Sequence, residues 1–139
     1  MDYTRRFQQS LRNRKEFIIQ YYSYNVQLLI NSEKQAVINK LTNLELKFSH
    51  HAILRLKETS RVYSQEEIIK FLKSSSSLKT EIFIEKENIY HCVIVLSKRK
   101  AIDVVFKING YIFILTIFPL GRKSLLKLSK KWGLNYGKI

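Results

Sequence analysis

The sequence predicts an α+β domain: N-terminal helices followed by a four-stranded antiparallel meander and a C-terminal basic helix. Apolar residues recur at helical spacings up to about residue 73. The run Ser74-Ser75-Ser76-Ser77 then ends that pattern, and β-branched and aromatic segments follow at short intervals. The four glycines and the single proline all fall in the last thirty residues, so the first hundred contain no strong breaker.

Residues 3–22 favour a helix, with Phe7, Leu11, Ile18 and Tyr22 near one face and arginines on the rest. Ser32 is placed to cap a second helix over 33–44, because Gln35 stands at the third helical position and Ala36, Val37, Leu41 and Leu44 follow as a core face. Ser49 caps a third helix over 50–59, where Ile53, Leu54 and Leu56 are apolar. Ser64 repeats the device with Glu67 three residues on, ahead of Ile68, Ile69, Phe71 and Leu72, so a fourth helix spans 65–73. Strands follow at 81–85, 89–96, 101–108 and 111–118. Glu87-Asn88, Lys98-Arg99-Lys100 and Asn109-Gly110 separate them as hairpin turns, the last with the strongest short hairpin signal. Pro119 and Gly121 end the fourth strand. Leu125, Leu128 and Trp132 then mark the apolar face of the closing helix.

The chain has 139 residues, 45% hydrophobic, which is enough for one core. We divide it into an N-terminal helical extension over 1–47 and a domain over 48–139, forming one compact unit. The single cysteine, Cys92, excludes an intramolecular disulfide and suits a reducing compartment, so a cytoplasmic location is expected. The longest apolar stretch, 111–118, is too short to span a bilayer and no signal peptide is legible, so no membrane partner is expected.

Net charge is +14, and its placement says more than its sum. Six cations and no acid lie in 120–139 (Arg122, Lys123, Lys127, Lys130, Lys131, Lys138), and every acid in the chain stands at or before Asp103. Residues 1–16 carry five cations against Asp2 and Glu16. A solvated helical face explains either end alone. Both ends together suggest a polyanionic partner, and RNA is the expected one.

The residues that bear on chemistry are His50, His51, Arg55 and Thr116. Cleaving RNA without a metal needs a base near the 2′-hydroxyl, an acid for the leaving oxygen and cations where charge grows on the phosphate. Histidine suits the first two roles and arginine the third. His51 and Arg55 are four apart and so share a helix face. The plainer reading is that His51 starts the helix and Arg55 pairs with Glu58 or solvent. His50 points elsewhere on the helix, while Thr116, Arg122 and Lys123 stand near the sheet exit. Arg61, Lys98, Arg99, Lys100, Arg122, Lys123, Lys127, Lys130 and Lys131 are the candidate nucleic-acid contacts. His91 alternates with Cys92 in a strand, where a core or surface role is expected. Tyr90 and Tyr111 are read first as half-buried packing and only second as base-stacking rings. No metal-ligand spacing is present, and no cofactor is expected.

The peptide His51-Ala52-Ile53-Leu54-Arg55 with Glu58, the helix at 65–73 and Thr116-Ile117-Phe118-Pro119 resemble a bacterial family of small domains. That family has a His-Ala-x-x-Arg signature and is similar to RelE/ParE-type toxins and the colicin and barnase-like ribonucleases. The resemblance covers about residues 48–123. Where the family places Arg-Gly-Ile after its acid, this chain has Thr59-Ser60-Arg61-Val62, with the arginine displaced to Arg61. The resemblance implies a metal-independent ribonuclease-like fold, in which His51 with Arg55 is the favoured centre for endoribonuclease chemistry and an antitoxin or another protein is a candidate partner.

Two function classes stay open. One is a ribonuclease-like toxin that attacks the phosphate of messenger, transfer or ribosomal RNA with the 2′-hydroxyl. The other is a non-catalytic nucleic-acid- or protein-binding module, such as a phage- or plasmid-encoded inhibitor. A further reading is homodimerisation through the N-terminal helix, whose aromatic run Phe17 to Tyr24 exceeds what one helix face needs.

Overall fold

The computed structural model describes residues 26–58, 63–97 and 100–132. The helix expected over 3–22, its proposed self-association, Arg61, Lys98 and Arg99 lie outside those residues. The described chain runs β1 (Gln27–Leu29), α1 (Asn31–Asn43), β2 (Leu46–Phe48), α2 (His50–Glu58), α3 (Gln65–Lys73) and a 3-10 turn (Ser75–Ser77). It continues through β3 (Lys79–Lys86), β4 (Ile89–Ser97), β5 (Lys100–Ile108), β6 (Ile112–Leu120) and α4 (Arg122–Trp132).

The sheet corrects the sequence reading. It is a mixed sheet of six strands in the order β1-β3-β4-β5-β6-β2, not a four-stranded antiparallel meander. The meander β3 to β6 forms its centre. β1 adds antiparallel to β3, and β2 adds parallel to β6. Both extra strands come from the region ahead of α2, so the described part of the expected helical extension contributes to the same sheet. Edge pairing is the physical reason: β3 and β6 would otherwise present unpaired amides and carbonyls. α1 connects the two edges. Its 13 residues reach about 20 Å at 1.5 Å per residue, close to the roughly 24 Å spanned by five interstrand steps of about 4.8 Å.

Caps and turns fix the helices locally. Ser64 and Glu67 form the expected capping box of α3, each accepting from the other's backbone N–H at 3.1 and 3.0 Å. Ser32, in contrast, lies inside α1, which is preceded by Ile30 with no side-chain cap. At the other end of α1, Lys73 Nζ donates to the carbonyls of Thr42 and Leu44, tying α3 to the helix terminus. Asn88 and Gly110 take positive φ of 61° and 70° at the β3–β4 and β5–β6 turns, which these residue types tolerate.

Two cores form on the two faces of the sheet. On the first, Val37, Ile38, Leu41, Ala52, Leu56, Ile68 and Leu72 of the helices pack on Ile82, Cys92, Ile94, Ile102, Val104, Phe106, Ile112, Ile114 and Ile117. On the second, Leu125 and Leu128 of α4 pack with Val26, Phe83, Val93, Val95, Ala101 and Leu120. The alternation along β6 is shifted once. Phe106 pairs with Ile114 but Val105 with Thr116, so Leu115 is an extra residue. This bulge keeps both Ile114 and Ile117 in the first core and turns Thr116 and Phe118 to the second face.

Candidate functional site

The site is built where α2 meets β6. β2 pairs with β6 from Leu46↔Ile112 as far as Phe48↔Ile114, and the chain then turns into α2 beside the rest of that strand. Ser49 makes the join. Its backbone N–H donates to the Ile114 carbonyl at 2.9 Å and its hydroxyl to the Leu115 carbonyl at 2.9 Å. The same hydroxyl accepts from Ala52 N–H at 3.0 Å, capping α2 as expected. One side chain therefore fixes both the helix start and its place on the bulge.

α2 straddles the sheet edge. Ala52 and Leu56 enter the first core, while the Arg55 guanidinium lies 5.4 Å from the centre of the Phe118 ring on the second face. Of the four candidate catalytic residues, His50 and His51 are exposed in the first turn of α2. Arg55 is only 3% exposed, and Thr116 Oγ1 is buried with no hydrogen-bond partner among the described residues. Helix and strand thus bring His51, Arg55 and Thr116 to the same edge, but only the histidines face solvent. The His51 pKa is lowered by partial burial first and then by the Arg55 charge, with Glu58 opposing.

The candidate RNA contacts divide. Lys100, Arg122, Lys123, Lys127 and Lys130 are exposed, the last four along the outward side of α4. Lys131 belongs to α4, but its side chain is outside the described residues.

The register also assembles a pair that the sequence does not reveal. His91 and Asp103, each 1% exposed, meet between β4 and β5 on the second face, with Nδ1 2.9 Å from Oδ2 and 3.2 Å from Oδ1. His91 Nε2 lies 3.7 Å from Glu85 Oε2. Their separation of twelve residues carries no local signal. The usable clue was that Asp103 sits in an otherwise apolar strand, where a carboxylate needs a partner. Cys92, one residue along, points into the first core, and burial first, with Asp103 second, pushes its thiol pKa well up. It is an unreactive packing residue. Tyr90 also faces the first core, stacked on Phe106 at 5.6 Å.

Among the described residues no helix is long and apolar enough to cross a membrane, and no group of three His, Cys, Asp or Glu is arranged to hold a metal ion. Comparison with family models, curated proteins and solved structures gives no match for this chain.

Proposed function

We propose that this is a cytoplasmic RNA-binding protein whose main phosphate-contacting element is the outward side of α4. The observation that carries this reading is the one-signed face of that helix. Arg122, Lys123, Lys127 and Lys130 are exposed around buried Leu125 and Leu128, in a chain with no acid after Asp103. Such a face neutralises phosphates without selecting bases. Binding to a labelled single-stranded RNA over a salt series tests it. Affinity should fall as salt rises, and Lys127→Gln should flatten the log–log slope by about 0.7. Salt-independent or absent binding would remove the proposal.

Metal-independent cleavage is the second reading, favoured by His51. This histidine is exposed at the sheet edge and held in the neutral, proton-accepting form by its surroundings. The resemblance of its His-Ala-x-x-Arg peptide to the toxin-like family adds support. Burial of Arg55 and of the Thr116 hydroxyl weighs the other way, because neither is presented to a phosphate. Incubating RNA with the protein in EDTA, beside His51→Ala and His50→Ala, decides. Cleavage that survives the chelator and is lost in a histidine variant moves the assignment to an endoribonuclease.

A further inference from the structure

At the end of the second sheet face away from the start of α4, an aromatic ring is set between two cations. Phe113 on β6 is the register partner of Lys107 on β5 and of Lys47 on β2, so the three occupy one row across neighbouring strands about 4.8 Å apart. Both lysines are exposed and Phe113 is half-buried. Tyr111, two residues earlier and also half-buried, stands edge-on to Phe113 with centroids 6.2 Å apart and planes at 82°. Lys47 Nζ lies 4.4 Å from the centre of the Tyr111 ring. Ile112 and Ile114, the alternate residues, are completely buried on the opposite face. The strand that anchors the first core therefore turns Phe113 to the second face, and Tyr111 stands against it from the bend that precedes the strand.

We infer that Tyr111 and Phe113, with Lys47 and Lys107, form a platform for the unpaired bases of single-stranded RNA. This rests on the RNA-binding reading above and names the strand form it takes. An aromatic face stacks on any base, but only one that is not already stacked and paired within a duplex. The flanking ammonium groups suit the phosphates on either side of a stacked nucleotide. Glu45, exposed two residues before Lys47, offsets part of the local charge. Stacking must then supply more of the affinity here than charge does, in contrast to α4. Lys47 and Phe113 of the platform lie on β2 and β6, the paired strands at which α2 departs. Ser49, which starts α2, is hydrogen-bonded to the carbonyl of Ile114, next to Phe113.

The test uses the full chain and a single-stranded oligoribonucleotide of about 10 nucleotides carrying a fluorescent adenine analogue whose emission is quenched by stacking. The same strand is also presented in a duplex. The native protein should bind the single strand about tenfold more tightly than the duplex and quench the analogue. Tyr111→Ala and Phe113→Leu should each weaken binding about tenfold and relieve the quenching, with the salt slope unchanged. Phe113→Leu retains apolar packing, and circular dichroism checks that both variants fold. Lys127→Gln should do the reverse, lowering the slope and leaving the quenching intact. Equal binding of duplex and single strand, or folded ring variants with native affinity and quenching, would overturn the platform while leaving RNA binding in place. No binding of either RNA by the native chain would overturn both.

Discussion

On one face of the sheet, α1, α2 and α3 cover a core of aliphatic side chains, Cys92 and Phe106. On the other, α4 packs over a smaller apolar cluster beside buried His91, Asp103 and Arg55, and the lysines and rings of the platform stand at its far end. Among the described residues, the buried polar side chains placed toward the first face are hydroxyls. Thr80, for example, donates to the carbonyls of Ser75 and Leu78. Burying charge costs desolvation that apolar packing does not. Aliphatic packing is therefore concentrated on one face and buried charged groups on the other, although each strand supplies both through simple alternation.

Substitutions that separate the faces test this division. The largest effect is expected from Asp103→Ala, which leaves His91 buried without its nearest carboxylate and should cost about 3 kcal/mol or more. Ile94→Val, on the apolar face, should cost about 1 kcal/mol. Urea midpoints give both values, and equal losses would erase the distinction. Ser49→Ala comes between them. It removes the α2 cap and a donor to Leu115 together, for about 1–2 kcal/mol, and should lower the denaturation midpoint without changing its slope.

The smallest effect sharpens the picture at the shared edge. Glu58 raises the His51 pKa against burial and Arg55, so Glu58→Gln should lower it further, as followed by the imidazole resonances. The sign for stability follows from linkage. The unfolded chain holds the His51 proton more tightly than the folded one, so this residue makes stability rise as pH rises toward about 6.5. Above that value both states are neutral and the contribution is flat. If His51 is the base in RNA cleavage, the acid limb of the rate profile should also lie below 6.5 and move lower in Glu58→Gln.

Much of this architecture is legible along the chain because its causes are local. Ser64 with Glu67 announces α3, Asn109-Gly110 announces the last hairpin, and Leu125 with Leu128 gives the buried side of α4. The two edge strands are not legible. Gln27–Leu29 and Leu46–Phe48 have three residues each, shorter than any window in which a period can be read. Their pairing is set by the open edges of β3 and β6. The site follows the same division. A helix starting near His51 could be read from Ser49, but the burial of Arg55 depends on α2 lying against Phe118, a contact between residues 63 apart. The His91–Asp103 pair and the Lys107–Phe113–Lys47 row likewise depend on strand register, which composition does not encode.

The bulge at Leu115 also bears on what happens when the protein opens. Ile112-Phe113-Ile114-Leu115-Thr116-Ile117-Phe118 is an uncharged, β-forming heptapeptide without glycine or proline, the composition that stacks into cross-β fibrils. In the folded chain the extra residue breaks its pleat midway, β2 pairs with the part before the break, and α2 lies beside the part after it. Release of α2 alone would uncover part of this strand while the rest of the sheet stayed intact. Fibril formation should then follow the local detachment of one nine-residue helix, and Ser49→Ala should shorten its lag by more than an equally destabilising change in the first core.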